Sequence, residues 1–212
     1  MNGLFTKEFI VTLKNNKLSL IVIPIFLTLG IINDQLMFLM IVPALFSILP
    51  LGTMTYDEIS HWNLYVLSLP VSKKKIVTSK YIAVTVLAVF SAVFLGALLF
   101  ILKNFDSTIN NNMILFMLIS ALFIGVTIPC ISIPINYKVG TTKGRFVYLL
   151  IVGGICGIFP NIILSDAASI TKKLTDLTES PALLAVISVG TVTLMMLISW
   201  FLSVKIYEKK EA

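Results

Sequence analysis

The sequence is poor in charge, cysteine and histidine. Only 12% of its 212 residues are Asp, Glu, Lys or Arg, whereas soluble domains average about 25%. It has two cysteines and one histidine, too few for a disulfide-rich scaffold. Hydrophobic residues make up 58% of the chain, and the mean hydropathy is +1.00. This composition excludes a disordered chain and an ordinary soluble enzyme, and it predicts an integral membrane protein.

Six stretches contain no Asp, Glu, Lys, Arg or His. About 20 apolar residues in a helix cross the hydrocarbon core of a bilayer, so we predict an all-α, polytopic membrane protein with six transmembrane helices. The predicted spans are residues 18–32, 36–54, 81–102, 113–135, 146–164 and 182–204. The first span is short, so an alternative is that residues 18–54 form one re-entrant hairpin.

Basic residues are distributed unequally between the two sets of connections, which predicts orientation. One set, with both termini, holds Lys7, Lys14, Lys17, Lys73, Lys74, Lys75, Lys80, Lys138, Lys143, Arg145, Lys205, Lys209 and Lys210. The other set, which includes an outside helix or loop at residues 165–181, holds Lys103, Lys172 and Lys173. By the positive-inside rule, both termini are cytoplasmic. The excess of Lys over Arg suggests a bacterial cell membrane.

The chain lacks the motifs of several enzyme classes. It has no G-x-x-x-x-G-K-[ST] loop for nucleotides, and its single histidine, His61, has no ligand partner at metal spacing. The spans contain no ionisable residue for an ion relay. Cys130 and Cys156 lie within spans and are predicted to be packing residues. We therefore expect neither an enzyme nor a bound metal or cofactor, and the net charge of +6 indicates no nucleic-acid partner.

Residues 55–69 carry a pattern typical of a short amphipathic helix. Thr55 is predicted as its N-cap, with Glu58 completing a capping box, and Pro70 ends it. The helix would be acidic at its start and aromatic in its middle. Two interpretations remain open from the pattern alone: an interfacial helix on lipid headgroups, or a docking helix for a soluble partner.

Two further patterns concern helix placement. Within residues 1–17, a stripe of apolar side chains opposes Lys7 and Lys14, which predicts an interfacial helix lying in the membrane plane.

Small residues four apart let helices approach closely. We predict that Ala92/Gly96 and Ala121/Gly125 pack within the monomer. The glycine-rich fifth span is predicted to contact a second subunit through Gly153, Gly154 and Gly157.

At residues 67–81 the sequence reads LSLPVSKKKIVTSKY. This segment resembles the LSLPVSRKKIVLSKY signature of small bacterial permeases of the ABC-2 type, including exporters of antimicrobial and phenol-soluble-modulin peptides. Lys73 stands where many members have Arg. The number and placement of the predicted helices also resemble that family over nearly the whole chain.

The resemblance implies a function and partners. The chain would be the membrane subunit of an ATP-driven exporter, with ATP and Mg²⁺ bound by a separate cytoplasmic P-loop ATPase. Residues 55–69 would be the coupling helix that docks into that ATPase. A second membrane subunit, identical or paralogous, would complete the transporter in the bilayer. The implied docking residues are Thr55, Asp57, Glu58, His61, Trp62 and Tyr65.

The apolar spans suit an amphipathic or hydrophobic substrate, such as a peptide, better than a highly charged solute. Both export and self-protection are compatible with this expectation. The alternative function is a non-transport membrane protein, namely an assembly factor, sensor or immunity component that uses the same helix to bind a cytoplasmic regulator.

Overall fold

The computed structural model describes residues 2–32, 39–105, 110–144, 146–147 and 181–210. Within these ranges the chain is helical, with short turns and no strand. We number the helices α1 to α7. They are Asn2–Asn15, Lys17–Ile32, Ile41–Ile59, Trp62–Leu67, Lys73–Lys103, Asn111–Val139 and Pro181–Lys210.

Among the described helices, three are long and apolar enough to cross a membrane. They are α5, α6 and the Val186–Lys209 part of α7, with mean hydropathies of 2.7, 2.6 and 1.9. They contain the predicted spans 81–102, 113–135 and most of 182–204. The all-helical, polytopic class is thus supported, whereas the full set of six spans stays a prediction.

The first predicted span, 18–32, lies within α2, whereas α3 is displaced from the second predicted span. Helix α2 has 16 residues, and α3 begins at Ile41 and ends at Ile59 rather than covering 36–54. These two helices pack through Ile23, Val42 and Phe46. The choice between two spans and a re-entrant hairpin stays a prediction. The fifth span, 146–164, and the segment 165–181 lie almost entirely outside the described residues.

The apolar clusters define two ends of the helix bundle. The end that holds α4 also holds the C-terminal parts of α3, α6 and α7 and the start of α5, through Val66, Ile76, Tyr137 and Tyr207. At the other end, Leu39, just before α3, packs with residues near the end of α5 and the start of α6. Helix α5 is therefore antiparallel to α3, α6 and α7. We call the two ends the elbow end and the far end.

The chain bends between α3 and α4, and this corrects the predicted helix 55–69. Residues up to Ile59 continue α3, and the Thr55 hydroxyl donates to the Leu51 carbonyl, 3.5 Å away, within the helix. Pro50 and Gly52 lie within α3 without ending it, and the helix runs on through Thr55 to Ile59. Thr55 is therefore not an N-cap, and the predicted capping box is wrong. His61, with φ of 51°, then reverses the chain direction into α4.

Hydroxyl groups connect the three long helices. The Tyr81 hydroxyl of α5 lies 2.6 Å from the Ser199 Oγ and 2.8 Å from the Ser203 Oγ, both on α7. The Ser199 Oγ in turn donates to the carbonyl of Cys130 on α6, at 2.5 Å. Cys130 is a free, buried cysteine, in keeping with the predicted packing role, whereas Cys156 lies outside the described residues. These hydrogen bonds fix α7 against α5 and α6.

Two of the predicted small residues lie where α5 and α6 approach closely. A Cβ added at Gly125 would lie 3.3 Å from the Ala88 Cβ, and one at Gly96 would lie 3.0 Å from Leu118 Cδ2. Both glycines therefore pack within the monomer, as the sequence pattern predicted. Gly190 on α7 differs, because a Cβ there would meet no described atom within 4 Å.

We expect Gly125→Leu to destabilise the bundle by about 1–3 kcal/mol, because the added side chain must separate α5 from α6. Gly190→Leu is the matched control, since the same change there meets open space in the described part of the chain. Thermal unfolding of both variants in detergent provides the test. Equal melting temperatures for the two variants would contradict the close approach of α5 and α6 at Gly125.

Candidate functional site

The bend between α3 and α4, residues 56–65, forms the candidate site, and we call it the elbow. It contains most of the predicted docking residues, and Thr55 lies immediately before it, inside α3. The elbow has a buried inner side, which contacts α1 and α5, and an exposed outer side. The two sides have different chemistry.

The inner side rests on four ionised side chains, Lys7, Glu8, Asp57 and Lys80, which we call the charge cluster. The Lys80 Nζ lies 3.0 Å from the Glu8 Oε1 and 2.6 Å from the Asp57 Oδ2. Lys7 completes the cluster through ion pairs with the same two carboxylates. The side chains of Glu8, Asp57 and Lys80 are only 4–7% exposed. The cluster joins α1, α3 and α5.

Two carboxylates and two ammonium groups give the cluster no net charge. Burying an ion is costly unless partners replace the water it loses, and each member here has them. The Thr53 hydroxyl also donates to the Glu8 Oε2, at 3.0 Å. Burial alone would raise the pKa of Glu8, but Lys80, Lys7 and the hydrogen bonds from Lys80 and Thr53 more than offset it. The pKa of Glu8 therefore lies below its ordinary value.

Glu58 fastens the elbow to a second part of the chain. Its Oε2 accepts a hydrogen bond of 2.7 Å from the Thr141 backbone N–H and another from the Thr141 hydroxyl. Thr141 begins a helical turn, residues 141–144, that follows α6. Gly140, with φ of 90°, brings this turn against the carboxylate, and a Cβ there would lie 3.0 Å from the Glu58 Oε1. Glu58 thus caps the turn after α6 instead of its own helix.

Trp62 lies at the boundary between the inner and outer sides. The Lys7 Nζ lies 4.6 Å from the centre of the Trp62 ring, which is the geometry of a cation–π interaction. The ring of Tyr65 lies 5.3 Å from the ring of Trp62, centre to centre. Trp62 also packs partly buried against the apolar cluster of the elbow end. It therefore connects the charge cluster to the aromatic surface.

The outer side of the elbow exposes large apolar and aromatic side chains. Ile59 is 70% exposed, Tyr65 58% and Tyr56 41%, and His61 is exposed between them. Asp57, by contrast, is buried in the charge cluster. The direct docking contact predicted for Asp57 is therefore not available to it in this structure. Ile59 and Tyr56 take its place on the surface.

Helix α1 has its polar face turned toward the protein. Glu8 and Thr12 are buried against the bundle, while Ile10 and Leu13 are exposed. The Asn16 side chain, just after α1, donates to the Leu49 carbonyl of α3 at 3.3 Å. Helix α1 is thus attached to the bundle by polar contacts, while its in-plane position at the membrane surface stays a prediction.

Sequence reasoning missed the charge cluster. Lys80 was assigned to the cytoplasmic connection as one of many cations, and Glu8 was given no role. Glu8 and Lys80 are 72 residues apart, so no local pattern links them. The available signal was Lys80 itself, a single lysine among apolar and hydroxyl residues that become buried in α5.

The remaining predictions concern the glycines of the fifth span and metal binding. The subunit-contact glycines Gly153, Gly154 and Gly157 lie outside the described residues, so that contact stays a prediction. Within the described ranges, no group of three or more His, Cys, Asp or Glu side chains could hold a metal ion.

Long apolar helices with a structured, polar elbow end define a polytopic membrane protein. The chain matches the family model described as ABC-2 family transporter protein over residues 3–208. It therefore belongs to the ABC-2 family of transporter proteins. No curated protein and no solved structure matches the chain. Membership implies a membrane component of a transporter, which associates with an ABC ATPase.

We expect Glu8→Gln to lower the free energy of unfolding by about 3 kcal/mol at neutral pH, because it leaves buried Lys80 with one carboxylate fewer. The pKa of Glu8 is lowered by folding, so its contribution is present above the ordinary value of 4.5 and is lost as the pH falls below that value. Thermal unfolding in detergent as a function of pH should show the wild type and the variant converging in acid.

The matched control for this experiment is Glu208→Gln, which removes an exposed carboxylate near the end of α7. We expect it to follow the wild type at every pH. A difference between wild type and Glu8→Gln that persists unchanged in acid would contradict the assignment of the stabilisation to the ionised carboxylate.

Proposed function

We propose that the chain is the permease subunit of an ATP-driven exporter and that the elbow is where the separate ATPase docks. The observation that carries this proposal is the contrast between the two sides of the elbow. Its inner side is tied to α1 and α5 by ion pairs, whereas its outer side exposes Tyr56, Ile59 and Tyr65. A rigid support with an exposed aromatic surface is typical of a protein-binding site.

The position of the elbow supports a cytoplasmic partner. Lys73, Lys74 and Lys75 open α5 beside the elbow, and Lys138 and Lys205 lie near the same end of the bundle. Lys103 ends α5 at the far end. This asymmetry favours a cytoplasmic elbow end by the positive-inside rule. A soluble ATPase would then meet the elbow directly.

The proposed docking contacts are the exposed side chains of the elbow. Tyr56, Ile59 and Tyr65 supply apolar and aromatic area, and His61 lies between them. Glu58 and Trp62 act at the edge of this surface, because each is also held by a contact within the chain. Thr55, inside α3, and Asp57, in the charge cluster, lie behind this surface and support it without contacting the ATPase.

The substrate pathway is proposed to run between this chain and a second membrane subunit. The spans offer apolar and weakly polar walls, which favour an amphipathic or hydrophobic peptide. ATP and Mg²⁺ would be bound by the partner ATPase. The alternative, a non-transport membrane protein that binds a cytoplasmic regulator, uses the same surface but requires no ATP-driven movement.

We expect the double variant Ile59→Ala/Tyr65→Ala to bind the ABC ATPase about 30-fold more weakly, because truncating two central contact residues removes ~1 kcal/mol each. The measurement is a titration of the ATPase that co-purifies with the wild-type chain against each variant in nanodiscs. Phe105→Ala is the matched control, since this side chain is 85% exposed but lies at the far end.

Unchanged affinity in the elbow variant, or an equal loss in the control, would contradict the docking site. Absence of any ATPase partner for the wild-type chain would favour the non-transport alternative. With the complex in hand, stimulation of ATP hydrolysis by amphipathic peptides, compared with charged peptides of equal length, tests the substrate class.

A further inference from the structure

We propose that Lys80 is a positioning residue that makes α5 follow the movements of the elbow. Its ammonium group lies between Asp57 of the elbow and Glu8 of α1. It would thereby pass movement of the docked ATPase to the membrane-spanning helices. This inference rests on the proposed function, because it assumes that the ATPase binds the elbow.

The geometry makes Lys80 a joint between elements. Asp57 lies in the last turn of α3, Glu8 lies on α1, and Lys80 lies two turns into α5. The Lys80 Nζ contacts both carboxylates at 3.0 Å or less. Movement of the elbow away from α5 would leave a buried ammonium group facing fewer anions. Because an uncompensated buried charge is costly, the elements are held to move together.

The next residue along α5 extends the joint to the other long helices. Tyr81 makes its hydrogen bonds to Ser199 and Ser203 of α7, and Ser199 bonds the Cys130 carbonyl of α6. Consecutive residues of α5 thus contact the elbow on one side and α7 on the other. A contiguous set of polar contacts runs from the docking surface into the bundle.

A purely structural cluster would behave differently from a joint. Its loss would lower the amount of folded protein, but the molecules that fold would respond normally to ATP. Loss of a joint would leave the fold and the ATPase contact intact and abolish the response of distant residues. Charge-balanced variants separate these cases, since replacing a buried ion pair by neutral groups is often neutral for stability.

The test variant is Lys80→Met/Glu8→Gln, which keeps the Lys7–Asp57 pair and the net charge of the cluster. A second variant, Lys80→Met/Asp57→Asn, keeps the Lys7–Glu8 pair instead. Lys74→Met is the matched control, because Lys74 lies on the same helix and contacts Trp200, outside the cluster.

The readout is maleimide labelling of a cysteine introduced by Phe105→Cys, just beyond the far end of α5, with the parent chain as background. Each protein is reconstituted with the co-purifying ATPase, and labelling is followed with and without ATP. We expect ATP to change the labelling rate in the wild type and in Lys74→Met. We expect no ATP-dependent change in Lys80→Met/Glu8→Gln, with ATPase binding retained. Because Lys80→Met/Asp57→Asn also removes a support of the docking surface, its labelling is compared at ATPase concentrations that saturate it, and we expect no ATP-dependent change there either.

Several outcomes would overturn the proposal. A normal ATP-dependent change in the double variants would show that the cluster is not the joint. A wild type that binds the ATPase but shows no change would exclude movement of α5. Loss of ATPase binding or of folding in both variants would assign the cluster to shaping the elbow. Failure of the wild type to bind any ATPase would instead refute the proposed function.

Discussion

The structure depends on the pairing of a buried ammonium group, that of Lys80, with two carboxylates from distant parts of the chain. Burying this charge without anionic partners would be costly, and Glu8 and Asp57 both lie against it. This arrangement fixes α1, the end of α3 and the start of α5 relative to one another. Lys7 then balances the second carboxylate, and its contact with Trp62 orients the first turn of α4.

This pairing explains how the elbow can keep apolar side chains on its outer side, because its inner side is already occupied. The inner side is already filled by the charge cluster and by Val66, and Glu58 fastens the bend to the turn at Thr141. Ile59 and Tyr65 lie on the opposite, exposed side. An aromatic surface held in this way loses little conformational freedom on binding, which favours affinity.

The sequence allowed the long helices α5 and α6 and the end of α4 before Pro70 to be predicted, because uncharged runs and a proline are local signals. It predicted one helix over residues 55–69 and not the bend at His61. It did not allow the ends of α3 to be predicted. The capping-box pattern at Thr55 is also local, but α3 continues through Pro50, Gly52 and Thr55 to Ile59, and the Thr55 hydroxyl bonds the Leu51 carbonyl inside the helix. The charge cluster escaped prediction because its members meet only after α1, α3 and α5 pack.

The distribution of polar groups also bears on the driving force for transport and on the part of the molecule where it acts. In the described spans the helices contact one another through glycine, alanine and hydroxyl groups, which pack closely but carry no charge. The buried ionised groups that the structure describes are concentrated at the elbow end. A driving force from a coupled ion would need ionisable groups deeper in the bundle. Movement of the elbow could instead be transmitted through the contacts that are present. The charge cluster resists separation of its helices, and the hydrogen bonds of Tyr81 extend these contacts to α7.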